Sequence, residues 1–297
     1  MDLITQLKDV MERHAYSQAQ VGRAIGRSGA VINQFLQDKY TGDNADLESR
    51  IESFINREIE KEKAKRITAR FVETNTARKG LEVLAYAHQE CEMCVMYGAA
   101  GLGKTMILRE YAARNKGVLL IEADPGYTAK TLLAELCRQL GIKARGNIHE
   151  LIDACVRELR GSTQLVMIDE AELLPYRALE VLRRLHDKSG VGVVLAGMPR
   201  LLINLKGRGG EFAQLYSRVA LGFNLGDTLS REDFNLLATG MMPEAQDEDI
   251  SNALYERSMG NARRLFKLAR GVYRICDISR ANVSVKAIDK FAEMLIH

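Results

Sequence analysis

One eight-residue stretch limits what this chain can become more than any other: Gly98-Ala99-Ala100-Gly101-Leu102-Gly103-Lys104-Thr105 fits the pattern G-x-x-x-x-G-K-[ST] in full. Before it, Cys94-Val95-Met96-Tyr97 reads as a short buried strand, and after it Met106 to Ala113 reads as the opening turns of a helix. Strand, glycine loop and helix together point successive backbone N–H groups and a helix N-terminus at a phosphate. In that setting Lys104 reaches the β- and γ-oxygens and the Thr105 hydroxyl holds Mg²⁺. The expected ligand is a nucleoside triphosphate with its metal, cradled by Gly98 to Gly103.

The bulk numbers set the frame. With 297 residues the chain has room for about two domains, and 46% hydrophobic with 27% charged residues is ordinary for a soluble globular protein. No apolar run approaches the roughly 18 residues of a membrane span. Met1-Asp2-Leu3-Ile4-Thr5-Gln6 lacks a basic-then-apolar leader. The expectation is a cytoplasmic protein with no membrane partner. Five cysteines argue against a disulfide framework. Cys91-Glu92-Met93-Cys94 has no second ligand pair for zinc, and Cys94 belongs to the strand entering the phosphate loop, so core packing is the simpler reading. Net charge is only +3, yet from Ile250 to His297 nine Lys/Arg stand against four Asp/Glu. That stretch is a candidate polyanion surface.

Residues 1–58 read as a small helical unit. Leu3, Leu7, Val10 and Met11 share one helical face; Ser17 is placed to cap a second helix and Ser28 a third, with Gly26-Arg27-Ser28-Gly29 as the turn between them. A fourth helix is expected from Asp46 to Ile59. Two short helices around a glycine-bearing turn are the pattern of a helix-turn-helix. Ser28, Asn33 and Gln34 would then face DNA. The plainer alternative is a helical packing module whose amides are merely solvated. Residues 59–70 are dense in mixed charge and read as a linker. From 71 to 227 strands and helices alternate, with strands at Val95–Tyr97, Val118–Ile121, Leu165–Ile168 and Val191–Leu195 and helices at Lys130–Leu140, His149–Leu159 and Arg177–Asp187. Continuous apolar strands imply a parallel sheet covered on both faces. Residues 228–297 read as all helical.

Leu165-Val166-Met167-Ile168-Asp169-Glu170 is an apolar strand ending in two acids, and beside a phosphate loop Asp169 can hold Mg²⁺ while Glu170 polarises the attacking water. In isolation such a pair is equally a helix cap. Ser217-Arg218-Val219 can present Arg218 to a neighbouring subunit's γ-phosphate, and Gly260-Asn261-Ala262-Arg263-Arg264 can place Arg263 over the same phosphates. For either arginine alone a surface ion pair is the simpler role. In this order, loop, acid pair, Arg218 and Arg263 resemble the AAA+ ATPases, with Lys104, Asp169, Glu170 and Arg218 as the catalytic set. The resemblance implies an α/β P-loop AAA+ domain with a parallel sheet, a C-terminal helical lid and the N-terminal helix-turn-helix domain. One departure stands out: Ala196-Gly197-Met198-Pro199 offers no polar residue where these ATPases carry their first sensor.

Three further strings, Asp38-Lys39-Tyr40-Thr41-Gly42-Asp43-Asn44, Phe71-Val72-Glu73-Thr74-Asn75-Thr76 and Glu211-Phe212-Ala213-Gln214-Leu215-Tyr216-Ser217-Arg218, resemble the Mu B family of phage transposition proteins. That family resemblance implies an ATP-dependent, sequence-independent binder of double-stranded DNA. Such a protein self-assembles on its target as a filament, delivers that DNA to a transposase, and hydrolyses ATP to let go. Lys143 and Arg145, then Lys130, Lys206 and Arg208, are the candidate DNA contacts. Arg263, Lys267, Arg270 and Arg274 share a helical face that is either a further contact or a solvated surface. Two other readings stay open: a helicase loader or replication initiator of the same superfamily, and a nucleotide-gated transcriptional regulator.

Overall fold

Short apolar runs without alternation become the strands of the larger of two compact units, Met1–Thr68 and Ala69–His297. The structure, a computed structural model, describes residues 2–64, 70–143, 145–207 and 212–295. In the second unit β1 (Met93–Tyr97), β2 (Val118–Glu122), β3 (Leu165–Asp169), β4 (Gly192–Gly197) and β5 (Val219–Asn224) pair in parallel in the order β2-β3-β4-β1-β5. The middle strands β3, β4 and β1 are buried almost throughout, and each fully buried Val, Leu or Ile contributes about 1.5–3 kcal/mol.

One face of the sheet, carrying Met93, Val95, Val166, Ile168, Val193 and Leu195, packs on α7 (Ala129–Gln139), α8 (Ile148–Leu159) and α9 (Tyr176–Ser189). Met96, of opposite parity, turns to the other face, where α5 (Asn75–Gln89) and α6 (Lys104–Arg114) lie together. The four strands expected from sequence are present. β5 and α5 are additions to that reading. β5 is an edge strand with most of its residues at least partly exposed, and Gly222 interrupts its apolar run, so it lacks the signature of a buried strand.

Because the strands are parallel, every loop that follows a strand opens on the same edge of the sheet. The loop after β1 and the acids after β3 are separated there by β4 alone, about 10 Å from strand to strand. Beyond the short helices α10 (Arg200–Lys206) and α11 (Ala213–Tyr216), the chain ends in α12 (Arg231–Met241), α13 (Glu248–Ser258), α14 (Ala262–Ser279) and α15 (Val285–Ala292). Phe234, Leu254, Leu265, Leu268, Val272 and Ile288 form the interior of this helical group. Among the described residues no helix is long and apolar enough to cross a membrane.

The first unit comprises α1 (Leu3–Arg13), α2 (Gln18–Ile25), α3 (Gly29–Leu36) and α4 (Asn44–Ala64) around Leu7, Val10, Val21, Ile32, Leu47, Ile51 and Phe54. Ser17 caps α2 in a reciprocal pair with Gln20, and the Ser28 hydroxyl accepts from the N–H of Val31 at the start of α3. The α2–α3 pair is tight because a Cβ on Gly22 would lie 2.7 Å from the carbonyl oxygen of Arg27. α4 continues to Ala64, so the first half of the expected linker is helical, while residues 65–69 lie outside the described residues.

Candidate functional site

Leaving β1, the chain turns through two glycines in the left-handed region, Gly101 at φ 79° and Gly103 at φ 98°, before α6 begins at Lys104. These are conformations a side chain resists. The Lys104 ammonium is buried and donates to the carbonyl oxygens of Gly98 and Ala99, both at 2.8 Å. Burial pushes its pKa below the ordinary lysine value, against the pull of Glu170, Glu172 and Asp169. A ligand phosphate arriving here gives the desolvated cation an anionic partner, which is the electrostatic basis of a phosphate site.

At the end of β3 the Thr105 hydroxyl donates to Asp169 Oδ2 at 2.7 Å, and the Glu170 N–H donates to Asp169 Oδ1 at 3.0 Å. Burial raises the Asp169 pKa, and those two hydrogen bonds oppose the rise. The hydroxyl and carboxylate oxygens are spaced like two neighbouring ligands of an octahedral ion with bonds of about 2.0–2.1 Å. They are hard oxygen donors, as Mg²⁺ requires. Among the described residues no group of three or more His, Cys, Asp or Glu can hold a metal alone. The donor set therefore fits a Mg²⁺ completed by phosphate oxygens and water, the usual arrangement for this ion.

Glu170 has φ 54°, a left-handed conformation in a residue with a side chain. Such backbone costs on the order of 1–3 kcal/mol and persists where the surroundings impose it. Its side chain lines the cavity, and its pKa is raised by burial and then by the neighbouring Glu172 carboxyl. That neighbour also occupies the end of β4, where the sequence offers no polar residue. A Cβ on Gly197, the last residue of β4, would lie 2.0 Å from Glu172 Oε2, so the Glu172 carboxylate fills the place of a side chain there. Its Oε2 is buried without a hydrogen-bond partner, and Met198 beside it lines the cavity.

The cavity of about 420 Å³ extends from the loop into an apolar recess walled by Val72, Ile107, Leu229, Leu237, Met241 and Phe266. A polar end for phosphates and an apolar end of this size suit a nucleobase and ribose. The recess was invisible in the sequence, because its walls come from widely separated segments of no distinctive pattern. Arg263, near the start of α14, reaches the same cavity, and its N–H donates to the carbonyl of Gly101 at 3.2 Å.

Arg218 lies elsewhere. It immediately precedes β5, whose Val219 is in register with Met93 at the start of β1, whereas the phosphate loop follows the far end of β1. Five residues of strand, about 17 Å, separate the two levels. Arg218 donates through Nε to Asp187 Oδ1 at 2.8 Å on α9, and its side chain is half-exposed.

Comparison with known proteins agrees with this architecture. Residues 87–205 match a family model described as an AAA domain. Over 258 residues the chain is 30% identical to the Mu-like prophage FluMu DNA transposition protein B of Haemophilus influenzae, a match covering 84% of this chain and 88% of that protein. The chain belongs to the transposition protein B family of Mu-like phages. It is also 34% identical over 226 residues to the ATP-dependent target DNA activator B of Escherichia phage Mu, covering 74% of this chain and 71% of that one. The fold is shared with the Aeropyrum pernix ORC2 protein, at TM-score 0.55 and 19% identity over 73% of this chain and 66% of that one.

The DNA contacts expected in this B-family chain are dispersed. Lys130 is exposed in the first turn of α7, and Lys143 and Arg145 are exposed in the loop after that helix, so the whole of α7 stands between them. The Lys206 ammonium sits over the ring of Tyr216, 4.9 Å from its centroid. Arg208 lies outside the described residues. On α14 Arg263, Lys267, Arg270 and Arg274 share one exposed face, and Arg263 at its head reaches the cavity. In the first unit the Ser28 hydroxyl is engaged as a cap, and Asn33 Oδ1 accepts from the side-chain amides of Gln37 at 3.2 Å and Gln18 at 3.4 Å. Gln34 is exposed.

Proposed function

We propose that this B-family chain is an AAA ATPase of DNA transposition that binds ATP with Mg²⁺ in the cavity described above. It assembles on target duplex without sequence preference, presents that DNA to a transposase, and uses hydrolysis for release. The observation that carries the reading is the bond from Thr105 to Asp169 beside a loop turned by two left-handed glycines, with a buried lysine between loop and acids. The names of the relatives, a DNA transposition protein and an ATP-dependent target DNA activator, support the choice of process.

In this reading Lys104 and Arg263 bind the β- and γ-phosphates, and the loop from Gly98 to Thr105 orients them through backbone N–H groups. Thr105 and Asp169 hold Mg²⁺, which when bound screens phosphate charge. Glu170 takes a proton from the attacking water, and its raised pKa keeps it a stronger base than an ordinary glutamate. Arg218, remote from its own cavity, serves a neighbouring copy, so hydrolysis depends on self-assembly. Residues 1–58 form the helix-turn-helix domain, 59–70 the linker, 71–227 the ATPase core and 228–297 the lid. Lys130, Lys143, Arg145, Lys206 and Arg208 meet DNA phosphates, with Ser28, Asn33 and Gln34 contributed by the first unit, and the protein works in the host cytoplasm.

The test is sedimentation and electron microscopy of the full chain with random-sequence duplex, with and without ATP and Mg²⁺. Long filaments on any sequence that require ATP, and that Lys104→Ala cannot form, are expected. A compact footprint at one palindrome, or assembly indifferent to Lys104→Ala, refutes the reading. Stimulation of ATP turnover by transposase rather than by a replicative helicase separates it from a helicase loader.

A further inference from the structure

Two separate sets of hydrogen bonds tie the C-terminal helices to the α/β core, one on the α12 side and one on the α14 side. On the first side Asp233, fully buried in the opening turn of α12, accepts from the N–H of Asn75 at 2.8 Å, the N–H of Thr76 at 3.1 Å and the Thr76 hydroxyl at 2.5 Å. Asn75 and Thr76 open α5, so a carboxylate 157 residues further along the chain satisfies donors that a helix start leaves without partners. On the second side the Asn261 amide donates through Nδ2 to the carbonyl of Ala100 at 2.7 Å, while its Oδ1 caps α14 by accepting from the N–H of Arg264 at 3.2 Å. The Arg263 N–H donates to Gly101 next to it.

Neither Asp233 nor Asn261 lines the cavity, but the groups they join do. Thr76, Ala100 and Gly101 are cavity wall from the core, and Leu237, Arg263 and Phe266 are cavity wall from the helices. The covalent link between the two parts is the segment 225–230, where Gly226 has φ 86°. A buried carboxylate with three donors makes charge-assisted bonds, stronger than the neutral pairs that tie most loops. Breaking one leaves desolvated donors behind.

We propose that Asp233 and Asn261 are positioning residues of the nucleotide site. They latch the helical lid over the cavity at two points, so that the apolar recess and Arg263 are already assembled when nucleotide enters. This rests on the ATP reading given above. A ligand that needs the closed lid binds with an apparent Kd divided by the closed fraction, so loosening the latch weakens binding while saturating nucleotide restores the closed form. The signature is a raised KM with kcat preserved. Simple loss of folded protein lowers kcat and leaves KM alone.

The experiment is titration of the full chain with a fluorescent ATP analogue and Mg²⁺, with steady-state turnover alongside, for wild type, Asp233→Asn, Asn261→Ser and Lys104→Ala. Serine keeps a capping oxygen for α14 but is too short to donate to Ala100, so this variant cuts the latch and spares the cap. Each latch variant is expected to bind about tenfold more weakly with kcat within about twofold of wild type. Wild-type affinity in a folded Asn261→Ser protein, or lost kcat at unchanged KM in both latch variants, overturns the proposal. If wild type and Lys104→Ala bind the analogue equally, the ATP reading itself has failed, and that outcome is distinct.

Discussion

Replacing Gly101 by alanine tests how closely lid and phosphate loop are fitted, and Gly103 supplies the control. Both glycines have positive φ, so a Cβ at either carries a backbone penalty on the order of 1–2 kcal/mol. Their surroundings differ. A Cβ on Gly101 would lie 2.5 Å from Asn261 Oδ1 and 2.9 Å from the Cβ of Arg263, whereas a Cβ on Gly103 meets nothing within 4 Å. Relief at Gly101 requires the start of α14 to back away, breaking the bonds from Asn261 to Ala100 and from Arg263 to Gly101. At about 0.5–1.5 kcal/mol each, that adds about 1–3 kcal/mol to the loss. In a unit of this size 1 kcal/mol shifts melting by about 2–4 °C. Calorimetry without nucleotide, where no phosphate meets either new methyl, is expected to find Gly101→Ala melting at least about 2 °C below Gly103→Ala. Equal melting temperatures refute the close fit and the clamp built on it.

Three other outcomes follow from the site. Glu170→Gln is expected to keep nucleotide affinity and stop turnover, leaving long-lived DNA complexes in a filter-binding chase; complexes that dissociate at the wild-type rate contradict its role as base. Arg218→Ala is expected to bind ATP normally and lose about 10³-fold in hydrolysis, and mixing it with Glu170→Gln protein should restore part of the activity, since each supplies what the other lacks; no recovery argues against action across subunits. Asp169→Asn separates stability from activity by pH. Burial raises the Asp169 pKa, so the folded state takes up a proton more readily than the unfolded, and the charged form costs stability above the folded pKa. The asparagine variant should therefore melt no lower than wild type near pH 7, with any advantage shrinking as pH falls toward about 4, while Mg²⁺-dependent turnover is lost.

What the sequence disclosed and what it hid divide by range. The loop from Gly98 to Thr105 was legible because glycines, lysine and hydroxyl act within eight consecutive residues and the flanking apolar runs declare their elements. Asp169 and Glu170 were legible for the same reason, at the end of an apolar strand. Asp233 was not, since its partners lie 157 residues away and nothing around it marks an acid bound for the interior. Glu172 carries no signal of its own in the sequence, because its place depends on the empty side-chain position at Gly197 one strand away. β5 is not legible in the sequence because an exposed edge strand needs no strong apolar pattern. The basic residues are numerous in the sequence, but charge along a sequence carries no information about which lysines face one partner. α7 stands between two of the candidates.

With Arg218 at one edge of the sheet and the phosphate loop at the other, the proposed contact across subunits would give each copy a donor end and an acceptor end. In an open row built on the proposed contact, one terminal copy holds nucleotide with no arginine supplied to it, and the opposite terminal copy offers an arginine to nobody. The working sites are then one fewer than the copies. A pair has a single competent site, and turnover per copy climbs with row length before levelling off. In such a row, erosion by hydrolysis would proceed from the interior and from one end, while the other end would persist as a cap of unspent nucleotide.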